Sequence, residues 1–215
     1  MSEEPIDVSD MIAVHDGMRK EYASLPLRVK SSDDADVDRA AAVADHIALL
    51  GAWMQAHHDG EDELLWPLVR ERAPEHEAIF VMEAEHSELN DYVTLIGAQA
   101  ETWRADPSPS NRATLHTTLI EFEKRLLTHL GHEERELLPL LAQTVSEEEY
   151  AAFGTYMRQH LTPAQGVLIV GLILDDTSTA QGERFLDGMG PDARARFEAD
   201  GLPVYREYRT NFLSA

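Results

Sequence analysis

The chain has 215 residues, 43% of them apolar and only 7% aromatic, enough for one sizeable core and better suited to helices than to strands. Forty acidic against 18 basic residues give a formal charge of -22, which repels phosphate backbones and anionic headgroups and argues against nucleic acid or a membrane surface as partner. With ten His and no Cys, disulfides, thiolate zinc sites and iron–sulfur clusters are excluded, so any metal must sit on imidazole and carboxylate.

A first helix is expected from Val8 to about Leu27, where Ile12, Met18, Tyr22 and Leu25 recur at helical spacing and Ser9 or Asp10 can cap the start. A second runs from about Asp36 to Glu71 through Val43, Ile47, Leu50, Met54, Leu64 and Leu65, irregular near Gly60 and Pro67. Pro74 opens a third, which passes Ile79, Met82, Leu89, Val93 and Ile96 to Trp103. A fourth spans about Ser110 to Gln143. Four such helices with short connections predict an all-α, antiparallel up-down-up-down bundle over residues 8–143. Ser146 and Glu149 form a capping-box pattern, and Gly and Pro punctuate the rest of the chain. Residues 146–215 are therefore expected to form an extension of short helices packed on the bundle. The acidic N-terminus is no secretory signal, and the apolar run from Val167 to Leu174 is far short of the roughly 20 residues that span a bilayer, so the expected location is the cytoplasm.

An internal repeat carries the chemistry. His57-His-Asp-Gly-Glu61, followed by Leu65-Trp-Pro67-Leu68, lines up with His129-Leu-Gly-His-Glu133, followed by Leu137-Leu-Pro139-Leu140, at an offset of 72. Upstream, Met11-Ile-Ala-Val-His15 lines up with Met82-Glu-Ala-Glu-His86 at an offset of 71. The bundle is thus two pseudo-symmetric αα-hairpins. Residues four apart share a helix face, so His57 projects with Glu61 and His129 with Glu133, and closing the hairpins brings four imidazoles and two carboxylates into the core. One His-x-x-x-Glu alone would be a solvent-facing pair; two in register, each preceded by a His at matching distance, point to a pseudo-twofold metal site.

The other histidines are set aside. His58 points about 100° from His57 and aligns with Leu130, so it is not expected to be a ligand. His132 aligns with Gly60, and His46 lies about 16 Å along the helix from His57. His76, His116 and His160 lack partners at ligand spacing. Met11 and Met82 serve as apolar walls. Asp175 and Tyr205 show no metal spacing, and no chemistry is assigned to them.

A lone His followed by His-x-x-x-Glu, twice over, resembles the hemerythrin-like, HHE cation-binding family across about residues 8–143. The resemblance implies a non-haem di-iron centre with His15, His57, Glu61, His86, His129 and Glu133 as ligands, Glu61 and Glu133 bridging, and the ions oxo- or hydroxo-bridged. Manganese suits the same donors. The invertebrate oxygen carriers place two His four residues apart on the third helix. Here Met82 and Asn90 flank His86 at that distance, so their asymmetric site with one open iron is not expected. If the symmetry holds, His15 and His57 serve one ion, and His86 and His129 the other. Ferritin-like proteins use the reversed Glu-x-x-His spacing, and a zinc hydrolase would need a general base that the sequence does not offer. The expected function is that of a non-haem di-iron protein whose centre reacts with or binds hydrogen peroxide, dioxygen or nitric oxide, an oxidoreductase if it is an enzyme. The alternative is a non-catalytic module that binds or senses dioxygen or iron.

Overall fold

The structure, a computed structural model, describes residues 4–213, so Ser214 and Ala215 at the end of the expected extension lie outside the described residues. The first six helices are α1 (Ser9–Lys30), α2 (Val37–Gly60), α3 (Trp66–Arg72), α4 (Ala78–Ala105), α5 (Pro109–His132) and α6 (Leu138–Thr144). After them come α7 (Glu147–His160), α8 (Pro163–Asp176), α9 (Thr179–Gly188), α10 (Pro191–Arg196) and α11 (Leu202–Leu213), and no strand occurs among the described residues. In the bundle α1 packs on α2 and α5, and α4 packs on the same two, which closes a ring of four and makes the all-α four-helix bundle expected from the sequence.

Some boundaries differ from the sequence reading. Neither Ser9 nor Asp10 is the N-cap of α1: Val8 holds that position without a side-chain bond, while Asp7 accepts from the Ser9 N–H at 2.9 Å. Helix α4 starts at Ala78, because residues 73–77 form turns in place of the helical first turn expected at Pro74. The Ser146–Glu149 capping box is present and starts α7.

The expected irregularity near Gly60 and Pro67 is a π turn, Glu61–Leu65, which joins α2 to α3 without a break. An equivalent turn, Glu133–Leu137, joins α5 to α6, and a third, Phe197–Gly201, joins α10 to α11. In each, a proline stands six residues after the first position: Pro67, Pro139 and Pro203. Proline has no N–H to give to the carbonyl four residues back, and its ring crowds that carbonyl, so the chain inserts a residue and the bond is made at i→i−5, as from Trp66 N–H to the Glu61 carbonyl. Pro26 lies inside α1 without such a turn, so proline permits the π turn and does not dictate it.

Two apolar clusters fill the bundle. The larger holds Met18, Leu50, Trp53, Trp103, Leu119, Phe122 and Leu126; the smaller holds Met11, Leu65, Trp66, Ile79, Met82, Leu137 and Phe153. Met11 and Met82, expected as apolar walls, are each 1% exposed. On α1 and α4 the repeat's lone histidine falls between the two clusters: His15 lies between Met11 and Met18, and His86 between Met82 and Leu89. Beyond the bundle, α7 packs on α2 and on the π turn after it, α8 and α9 pack on α1, and α11 packs on α8. Contact there is close enough to require glycine, since a Cβ on Gly171 of α8 would stand 2.2 Å from the Tyr205 ring of α11.

Candidate metal centre

The bundle's polar belt is formed by His15 from α1, His57 and His58 from α2, Glu61 from the first π turn, His86 from α4, His129 from α5 and Glu133 from the second π turn. All seven are at most 1% exposed. One donor atom each from His15, His57, Glu61 and Glu133 lies within 4.8 Å of the others, and the same holds for His58, His86 and His129. The six residues singled out by the repeat are thereby brought together, divided between His15 with His57 and His86 with His129.

The carboxylates reach both groups. Glu61 lies 3.2 Å from His57 Nε2 and 3.5 Å from His86 Nε2; Glu133 lies 3.4 Å from His15 Nε2 and 3.7 Å from His129 Nε2. Both carboxylates, and the Nε2 atoms of His58, His86 and His129, are buried without a hydrogen-bond partner in the protein. The Nε2 atoms of His15 and His57 face each other at 3.3 Å. Buried lone pairs converging on common points are costly unless a cation occupies them, so this donor set fits two metal ions of the kind that imidazole and carboxylate hold. Burial beside Glu133 pushes the Glu61 carboxyl well above its usual range, and burial holds the imidazoles of His57 and His58 well below theirs, with neighbouring histidines adding to the effect. Burial likewise lowers His129, against the pull of Glu85 and Glu133.

His58 lies in the belt, a place the sequence reading did not give it. It does point away from His57, but α2 touches both α1 and α4, and two residues 100° apart on such a helix can both face the interior. His57 turns to His15, whereas His58 stacks on His86 with ring centroids 4.1 Å apart and meets His129 edge-on at 5.2 Å. A fifth imidazole therefore comes from the second helix, although the third helix has no second His to give. The signal available in the sequence was His58 itself, adjacent to a ligand position.

Outside this belt, the Nδ1–H of His15 donates to Glu134 at 3.0 Å, that of His86 to Asp62 at 2.8 Å and that of His129 to Glu85 at 3.2 Å, so each ring keeps Nε2 bare toward the centre. Sequence reasoning missed these carboxylates, for which only adjacency to Glu61, Glu133 and His86 was visible. His132 also donates to Glu85, and His46 packs against Glu21 and Tyr208, both away from the belt as expected. From α7, Phe153 meets the His57 ring edge-on at 5.6 Å. Tyr205 donates to Asp175, which also pairs with Arg209, a contact that joins α8 to α11.

No curated protein and no solved structure matches the chain. The hemerythrin HHE cation-binding domain matches it over residues 7–162, which takes in the whole bundle and α7. With that match and this donor set, the chain belongs to the hemerythrin HHE cation-binding family and carries its metal-binding module.

Proposed function

We propose that the centre holds two irons, one on His15 and His57 and the other on His86, His129 and His58, with Glu61 and Glu133 shared, and that it reacts with hydrogen peroxide, dioxygen or nitric oxide. The observation that carries this reading is that each carboxylate lies within 3.7 Å of imidazoles from both groups, the placement a bridging ligand needs. Iron, when bound, supplies the redox chemistry. The chain supplies the rest: Met11, Met82, Leu65 and Phe153 keep bulk water out, and the outer carboxylates hold the protons at Nδ1. Counting His58, the protein gives three imidazoles to one ion and two to the other, so the His15/His57 ion has more room for an exogenous ligand. Manganese suits the same donors. No described helix is long and apolar enough to cross a membrane.

Metal analysis with visible spectroscopy of the aerobically purified chain, before and after peroxide or nitric oxide, tests this. Two irons per chain and ligand-dependent absorption are expected; one zinc and a colourless protein would sink it. The second reading, a sensor or carrier of dioxygen, draws on the contact between α7 and the site and on the extension proposed for residues 146–215, since a helix resting on His57 through Phe153 could transmit ligand occupancy. Reversible dioxygen binding without turnover favours that reading.

A further inference from the structure

Asp62 and Glu134 occupy equivalent places in the repeat, each the residue immediately after a shared carboxylate. Neither serves the histidines of its own hairpin. Glu134, from the second hairpin, takes the Nδ1–H of His15 on the first, and Asp62, from the first, takes that of His86 on the second. The same π turns that begin at Glu61 and Glu133 contain these residues, so one local distortion per hairpin delivers an inner carboxylate and, one residue on, an outer one that crosses to the opposite hairpin. The outer contacts are therefore interlocked: each lone histidine is oriented by the hairpin it does not belong to.

The two crossings differ in one respect. The Glu134 Oε1 that accepts from His15 also accepts from Arg19 at 2.6 Å, and Arg19 is tied to Asp16 at 2.9 Å. One carboxylate oxygen of Glu134 is thus shared by two donors, an imidazole and a guanidinium. No Arg or Lys pairs with Asp62 among the described residues, which leaves its charge to His86. A carboxylate at Nδ1 makes an imidazole a stronger donor at Nε2, and a cation on the same oxygen weakens that effect.

We propose that Glu134 and Asp62 are positioning residues that fix the metal-binding tautomer of the opposite hairpin's lone histidine, and that Arg19 makes His15 the weaker donor of the pair. This rests on the di-iron reading and goes beyond it, because it ranks the two ions. The ion on His15 is the first to leave. His57, the other imidazole there, agrees with the ranking, since its Nδ1 is buried with no partner at all.

The test is the rate at which the iron-loaded full chain yields iron to a coloured ferrous chelator under anaerobic reduction, followed by absorbance, with total iron counted beforehand. Two phases of one ion each are expected. Glu134→Gln speeds the fast phase by about 10–100-fold, the usual cost of losing an outer carboxylate. Asp62→Asn speeds the slow phase instead. Arg19→Gln slows the fast phase, because Glu134 then gives its whole charge to His15. That opposite sign separates donor tuning from mere structure: if Glu134 and Arg19 were only a salt bridge joining the second π turn to α1, both substitutions would loosen the same contact and speed release together. Equal acceleration by Glu134→Gln and Arg19→Gln, or no change in either, overturns the proposal while a count of two irons keeps the di-iron reading. A parent chain that loads fewer than two irons overturns both. Should Glu134→Gln not fold, Asp62→Asn and Arg19→Gln still decide, through the slow phase and the sign of the fast one.

Discussion

Removing the metal should cost this protein a large share of its stability. Without a cation, the carboxylates of Glu61 and Glu133 and the Nε2 atoms of His58, His86 and His129 are buried and unpaired. A buried polar group left unsatisfied costs about 1–3 kcal/mol, so these five groups together cost roughly 5–15 kcal/mol, a sum as large as the whole stability of an ordinary domain, about 5–15 kcal/mol. The lower end is the better guide, because an opened centre can admit water and Glu61 can keep a proton. For a chain of this size 1 kcal/mol moves Tm by about 2–4 °C, so chelation should lower Tm by at least about 10 °C. Differential scanning calorimetry of the loaded and chelated chain, at one pH and one protein concentration, measures the difference. A shift below about 2 °C would refute the reasoning, since it would mean that the apo core finds partners for every one of these groups.

The same geometry sets three further outcomes. His58→Ala should lower bound iron as His86→Ala does, because the His58 and His86 rings stack 4.1 Å apart in one donor group; full retention of two irons by His58→Ala alone would return His58 to a packing role. Glu61→Gln should abolish iron loading yet stabilise the apo chain at pH 8. The folded carboxyl has its pKa raised, so its penalty is absent below the unfolded value of 4.5 and grows as pH rises toward the folded one; the advantage of Gln must therefore vanish near pH 4, and thermal melts of apo parent and variant at both pH values check it. Gly60→Ala should disturb the α7 contact, as its Cβ would stand 2.9 Å from Phe153 and 3.0 Å from Tyr156, and a destabilisation of about 1–3 kcal/mol in urea titration is expected.

The bundle and six of its seven belt residues were legible in the sequence because the repeat supplied its own control: a pattern that recurs at an offset of 72 is hard to explain by packing alone. Pro67 announced the first irregularity, and its form, a π turn that starts at Glu61, is one that the proline's missing donor permits. What was not legible depended on where α2 sits. A 100° separation excludes His58 only if a helix has one buried face, and α2 has two, one toward α1 and one toward α4. The outer carboxylates were invisible for a similar reason, since the contacts from Glu134 to His15 and from Asp62 to His86 join residues 119 and 24 positions apart, across hairpins.

His58 also marks the place where the repeat's symmetry is broken. Register identifies equivalent places, not equivalent chemistry: position 58 carries an imidazole, while its counterpart, Leu130, is fully buried in the larger apolar cluster. His58 faces His86 and His129, the histidines of the opposite hairpin, and by the register of the repeat the corresponding position toward His15 and His57 falls to Leu130. In the proposed di-iron centre, this one position would decide whether an ion has three imidazoles or two. Leu130→His should supply the missing donor, make the two halves alike and close the space left for an exogenous ligand. Iron content should stay at two, while the affinity for azide, read from its charge-transfer absorption, and the rate of reaction with peroxide should fall by at least about tenfold, an effect of roughly 1.4 kcal/mol. Unchanged azide affinity in a variant that still binds two irons would mean that the open position does not lie at the His15/His57 ion.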